Sequence, residues 1–137
     1  IEAHLKALAA AYPDLIELRS IGKSLQGRDM WVAIVTAPSA KEGSEAHRDK
    51  PAMWIDGNIH ANEIQAAEVV LYSIWYLAKG YGKNPEITAL LDRTSFYMMP
   101  IVNPDSRSAW FNKVSTPNSP RGNQRPVDDD RDGVVDE

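Results

Sequence analysis

The chain has 137 residues, 43% of them apolar and 25% charged, which is enough apolar mass for one packed core and the size of a single domain or part of a larger one. Its net charge is −4, but residues 126–137 hold six acids against Arg131 alone, so the rest sums to +1 and offers no basic stripe to nucleic-acid phosphates. With no cysteine, disulfides, thiolate metal sites and thiol nucleophiles are excluded, and no apolar run approaches the roughly 20 residues of a membrane span. The chain opens at Ile1 without an initiator Met or a signal peptide, which reads as an excised or processed piece.

Residues 2–11 are rich in alanine and leucine, place Leu5 and Leu8 three apart, and predict a helix that Pro13 ends. Residues 15–21 alternate as a half-buried strand, residues 22–27 supply turn formers, and residues 30–36 form a β-branched apolar run, which together predict a β-hairpin. Residues 38–50 are polar and read as a surface loop. Residues 52–56 form a short apolar strand without polar alternation, the pattern expected when both faces are covered. From Asn62 to Lys79 the apolar residues fall at helical spacing and the other faces are also largely apolar, which predicts a well-buried helix ended by Gly80 and Gly82. Asn84-Pro85 has the form of a cap followed by proline in the first turn, opening a short helix through Leu91. Residues 94–102 are another apolar run in which Pro100 stops regular pairing. Strand, helix, strand in this order predicts a parallel pair with a right-handed crossover, so the class is α/β with a mixed, partly parallel sheet and flanking helices. Residues 1–105 would form the α/β core. From Asn103 the periodicity is lost, and four prolines punctuate a polar stretch, read as a loop region over residues 106–137 that no core residue anchors.

His60 and Glu63 stand out for chemistry. An imidazole and a carboxylate three residues apart, on a turn between a strand and a helix, have the geometry of two ligands of one catalytic zinc, although the spacing alone equally suits two surface neighbours. Their position beyond the C-terminal end of a strand is where open α/β sheets bind ligands. Gly57 gives the backbone freedom to turn there, and Asp56 is either an acceptor behind the histidine or a simple strand-end residue. Asn103-Pro104-Asp105 closes the next apolar run; all three are turn formers, and the turn is a candidate wall of the same cleft.

Pro51-Ala52-Met53-Trp54-Ile55-Asp56-Gly57-Asn58-Ile59-His60-Ala61-Asn62-Glu63 resembles the zinc-ligand segment of the carboxypeptidase A-like zinc carboxypeptidases. Tyr81-Gly82-Lys83-Asn84-Pro85-Glu86-Ile87-Thr88-Ala89-Leu90-Leu91 is similar to the helix that follows it in that family, and Met98-Met99-Pro100-Ile101-Val102-Asn103-Pro104-Asp105 to the next strand and turn. Gly22-Lys23-Ser24 and Gln26-Gly27-Arg28 match the family's early hairpin, so the resemblance keeps order and spacing over roughly residues 1–105. It implies a phosphorylase/hydrolase-like fold, present here as the N-terminal part of a catalytic domain, with His60 and Glu63 as the first two ligands of one Zn2+. The family also has a third histidine ligand, a general-base Glu, an Asn-Arg pair and a Tyr that hold the substrate's C-terminus, all downstream of residue 137. His4 and His47, in the first helix and a surface loop, are not credible third ligands. The family's oxyanion-stabilising Arg has Arg121 as its candidate, with Arg125 the alternative. Ser106 stands where the family usually has glycine.

A second pattern lies in residues 128–137. Asp128, Asp130, Asp132 and Asp136 fall at positions 1, 3, 5 and 9 of a loop with Gly133 at position 6, the arrangement of a Ca2+ loop that stops before the usual bidentate Glu at 12; a solvated acidic run has the same composition. The expected function is zinc-dependent hydrolysis of the C-terminal peptide bond of peptides or proteins by the full-length protein, with this chain inactive alone and a secreted or periplasmic location. The alternatives are a zinc amidohydrolase of N-acyl amino acids, resembling desuccinylases and aspartoacylases, and a non-catalytic, calcium-stabilised binding module.

Overall fold

In the computed structural model, residues 1–40, 50–112, 121, 122, 126, 128 and 131–133 are described. Helix α1 spans Glu2–Ala11 and buries Leu5 and Leu8. Strands β1 (Ile16–Lys23) and β2 (Asp29–Val35) form the hairpin, then come β3 (Ala52–Asp56), α2 (Ile64–Gly80), α3 (Pro85–Arg93), β4 (Ser95–Met99) and α4 (Pro104–Asn112). The sheet order is β1-β2-β4-β3: β1 with β2 and β2 with β4 pair antiparallel, while β3 and β4 pair in parallel from Ala52 opposite Ser95 to Asp56 opposite Met99.

The two-residue period of the strands sorts side chains between faces. Ala33, Val35, Phe96 and Met98 join Leu5, Leu8, Leu71, Ile74 and Leu91 in the main core, so α1, α2 and α3 share one face of the sheet. Val32, Ile34 and Met99 form a smaller cluster on the other face. A fully buried side chain such as Ile74 or Leu91 contributes about 1.5–3 kcal/mol, so this one-sided core holds most of the fold together. Helix α3 starts as expected: Asn84 Oδ1 accepts from the backbone N–H of Glu86 (2.9 Å) and of Ile87 (3.4 Å), with Pro85 in the first turn.

Three expectations from sequence are corrected. Strand β3 is not covered on both faces: it is the sheet's edge, and Met53 and Trp54 are 52% and 51% exposed. Helix α2 buries one stripe, from Ala67 to Ala78, and leaves Val69, Tyr72 and Tyr76 exposed on another, so its apolar content is not matched by all-round burial. Residues 104–112 are a helix rather than a loop, and it is anchored, because Asp105, Ser106 and Ala109 are buried. Asn103-Pro104-Asp105 is that helix's start: Asn103 Oδ1 accepts from the Ser106 N–H (3.3 Å), proline occupies the first turn, and Asp105 sits near the positive end of the helix dipole.

Candidate metal centre

The pairing of β3 with β4 continues past the strand ends and shapes the segment that carries His60. Gly57 N–H donates to Met99 O (3.0 Å), Val102 N–H to Gly57 O (3.0 Å) and Asn103 N–H to Asn58 O (3.3 Å). Gly57 is required by close approach: a Cβ there would lie 2.8 Å from Ala66 O and 3.2 Å from Pro100 O, both backbone atoms. Gly57→Ala is therefore expected to cost about 1–3 kcal/mol, the usual cost of overpacking; denaturant unfolding of the full-length protein checks it, and an unchanged midpoint would contradict it. Asn58 follows in the left-handed region at φ 56°, which asparagine tolerates better than most residues, and turns the chain sharply into the His60 turn. Glu63 N–H donates to His60 O (3.1 Å), and Glu63 occupies the N-cap position of α2 without a side-chain capping bond, which leaves its carboxylate for the site.

This turn brings the two expected ligands together. His60 Nδ1 lies 3.2 Å from Glu63 Oε2. Arg121, from 58 and 61 residues downstream, places Nη1 3.2 Å from Glu63 Oε1 and Nη2 2.9 Å from His60 Nδ1. Nδ1 cannot both donate to the carboxylate and accept from the guanidinium. Because every guanidinium N–H is a donor, Nδ1 is the acceptor and the ring proton is assigned to Nε2. Two acceptor atoms thus face one positive group. Two zinc ligands at about 2.1 Å in tetrahedral geometry sit about 3.4 Å apart, close to the observed separation. The donor set fits a zinc ion, with the guanidinium as a stand-in cation. Partial desolvation pushes the Glu63 carboxyl up, but the donors and positive charge facing it, the Arg121 guanidinium among them, outweigh it and hold the group below its ordinary value.

Arg121 is held in place by α4. Asn103 Nδ2 donates to Gly122 O (3.0 Å) and Ile59 O (3.3 Å), and Ser106 Oγ donates to Gly122 O (2.5 Å). Ser106, which stands in place of the family's glycine, is fully buried and contributes directly to this anchoring. Asn103 is thus a wall of the site, while Asp105 points elsewhere: it accepts from Ser24 Oγ (2.7 Å), Gln26 N–H (3.0 Å) and Arg28 Nη1 (2.7 Å), tying the hairpin turn to α4. Asp56 accepts from Trp54 Nε1 (2.7 Å) and, among the described residues, makes no bond to His60, which removes it as the acceptor behind that ring. His4 is exposed on α1, far in sequence from the site, and His47 and Arg125 lie outside the described residues. Of the acidic loop, Asp130 and Asp136 also lie outside them, and Asp128 Oδ2 accepts from the Gly133 N–H (3.0 Å). Among the described residues no three His, Cys, Asp or Glu side chains are grouped to hold a metal. Neither Asn58 nor Arg107 is given a role by the sequence patterns, although both bond at this turn.

An imidazole–carboxylate pair thus stands past the C-terminal end of β3 in a mixed α/β sheet, facing the Arg121 guanidinium. The zinc carboxypeptidase family model matches residues 1–132, and the chain belongs to the zinc carboxypeptidase family. It is 41% identical over 110 residues to carboxypeptidase M of Mus musculus, covering 80% of this chain and 24% of that protein. To carboxypeptidase D of Homo sapiens it is 36% identical over 106 residues, covering 77% of this chain and 7% of that protein. Bovine thrombin-activatable fibrinolysis inhibitor, in complex with tick carboxypeptidase inhibitor, superposes with a TM-score of 0.70 at 27% identity, covering 98% of this chain and 38% of that one. A further structure of thrombin-activatable fibrinolysis inhibitor gives 0.68 at 34% identity, with 80% and 25% covered. The chain therefore spans about a quarter or less of these curated relatives.

Proposed function

We propose that the full-length protein is a zinc-dependent carboxypeptidase that releases the C-terminal residue of peptides or proteins, with His60 and Glu63 as two of its zinc ligands. The observation that carries this reading is the convergence of His60 Nδ1 and Glu63 on one positive group, within a chain of the zinc carboxypeptidase family. When bound, zinc supplies a Lewis acid for the scissile carbonyl and lowers the pKa of water towards neutrality. The chain's own residues do the rest of what it contributes. The turn after β3 orients His60 Nδ1 and the Glu63 carboxylate toward one point, where both can present lone pairs to a cation. Arg121, held through Gly122 by Asn103 and Ser106, is the positive group beside them and is assigned to the carbonyl oxygen that gains charge during attack.

On this reading a third ligand and a general base come from beyond residue 137, so the isolated chain is expected to be inactive. No described helix is long and apolar enough to cross a membrane. A secreted or periplasmic setting, where peptide substrates are met, belongs to the same proposal. Calcium binding by residues 128–137 rests on the spacing of its carboxylates alone and is not needed for the reaction.

The test is C-terminal residue release from a peptide panel by the full-length protein, with N-acyl amino acids run in parallel. Release that a chelator stops and zinc restores is the expected result. Hydrolysis of N-acyl amino acids alone would replace the proposal with the amidohydrolase, and zinc or calcium binding without either activity would replace it with the binding module.

A further inference from the structure

The backbone carbonyls of both proposed ligand residues converge on one side chain. Asn58 is almost fully buried, and its Nδ2 donates to His60 O (2.8 Å) and Glu63 O (3.3 Å). An amide that spends both N–H bonds in one direction turns its oxygen the opposite way, and a buried oxygen needs a donor. Arg107, on α4 and 49 residues away, supplies it: Nη1 lies 2.7 Å from Asn58 Oδ1 and 3.1 Å from Ile64 O, the first residue of α2. The same guanidinium lies over the Phe111 ring, 5.3 Å from its centroid, a cation–π contact.

We propose that Arg107 is a positioning residue for the metal centre, acting through Asn58 to hold the turn that carries His60 and Glu63. The inference rests on the reading of those two residues as zinc ligands. Its physical content is the orientation of one carboxamide. With Arg107 in place, only one orientation satisfies all partners. Without it, Oδ1 is buried and unpaired, and a flip of the amide would set that oxygen against the carbonyls of His60 and Glu63. The turn then samples more than one geometry, and two ligands that must agree on one point within tenths of an ångström no longer do so. Disturbing an outer hydrogen-bond partner of metal ligands typically costs about 10–100-fold in metal affinity, and that is the range expected here.

The experiment compares Arg107→Met, Arg107→Lys and Asn58→Gly with Arg28→Met in the full-length protein. Arg28→Met is the control, since Arg28 also bonds to α4, through Asp105 and Ser108, but makes no described contact with the His60 turn. Glycine at 58 keeps the left-handed backbone without strain while deleting the amide. Two quantities are read: zinc affinity by competition with a chromogenic chelator, and amide hydrogen exchange of residues 58–66 in the metal-free protein. Arg107→Met and Asn58→Gly are expected to weaken zinc by about 10–100-fold and to speed exchange over that segment. Arg107→Lys should recover part of both, and Arg28→Met should lower stability while changing neither. Wild-type zinc affinity in Arg107→Met, or an equal loss in Arg28→Met, would overturn the proposal. If Arg107→Met does not fold, Asn58→Gly carries the same two readouts. If the unaltered protein binds no zinc, the ligand reading fails, and the exchange data decide separately: faster exchange supports the clamp and unchanged exchange overturns it.

Discussion

Replacing His60 by alanine in the full-length protein is expected to abolish zinc-dependent release of C-terminal residues while leaving the fold intact. The imidazole is 43% exposed and serves no core contact, so its loss should change unfolding stability by no more than about 0.5 kcal/mol, the range of surface substitutions. Zinc affinity and turnover should instead fall by more than the roughly 10–100-fold that follows from disturbing a ligand's hydrogen-bond partner, because a direct ligand is lost. Glu63→Gln should behave alike, since the amide keeps the shape but loses the charge that faces the cation. Zinc titration beside peptide-release kinetics checks both variants. Full activity in His60→Ala would remove the imidazole from the chemistry, whereas lost activity with unchanged zinc affinity would place the metal elsewhere.

Removing the carboxylate of Asp105 is expected to have the largest effect on stability. Asp105 is 4% exposed and accepts three hydrogen bonds from the β1–β2 turn, one of them from the Arg28 guanidinium. Deleting one partner of a fully buried ion pair costs about 3–5 kcal/mol. Because the Arg28 side chain is 40% exposed and its charge is part-solvated, about 2–4 kcal/mol is expected for Asp105→Ala. The pH dependence has a definite sign. Burial pushes the Asp105 carboxyl up, but the bonds from Ser24, the Gln26 N–H and Arg28 outweigh it and leave the group below its ordinary value. A carboxyl depressed in the folded state contributes stability above its unfolded pKa of about 3.9 and loses that contribution as pH falls through the folded value. The difference between wild type and Asp105→Ala in denaturant unfolding should therefore be full at pH 7 and shrink below about pH 4. A pH-independent gap, or one under about 0.5 kcal/mol, would mean that the carboxylate is not what ties the hairpin to α4.

The parts of the fold that were legible in the sequence are those whose signals are local. The period of α1 and α2, the turn formers of the hairpin, and the cap at Asn84 all act within a few residues, and each element stands where its pattern put it. The His60–Glu63 pair was legible for the same reason, since its geometry depends on one turn. Strand β3 was misread because Ala-Met-Trp-Ile suits a strand covered on both faces and an edge strand equally; the sheet order that decides between them is set by pairing with distant β4. Helix α4 carries a local start signal that its composition masks. Asn103-Pro104-Asp105 repeats the asparagine-proline-acid form of Asn84-Pro85-Glu86, but the serines and further prolines beyond it dilute helical periodicity. The Asp105–Arg28 tie and the Arg107–Asn58 bond carry no local signal, since their partners lie 77 and 49 residues apart and only the folded sheet brings them together. Arg121 is similar: resemblance to the family marked it, and Asn103 and Ser106 explain how it reaches a site some 60 residues upstream.

The central claim is that His60 and Glu63 hold one zinc ion, and the most direct measurement is an anomalous difference map at the zinc edge from crystals of the full-length protein. The account predicts a single strong peak about 2.0–2.2 Å from both His60 Nδ1 and a Glu63 carboxylate oxygen, with Arg121 turned off Nδ1. A peak bound by other residues, or none at this site in zinc-saturated crystals, would contradict it.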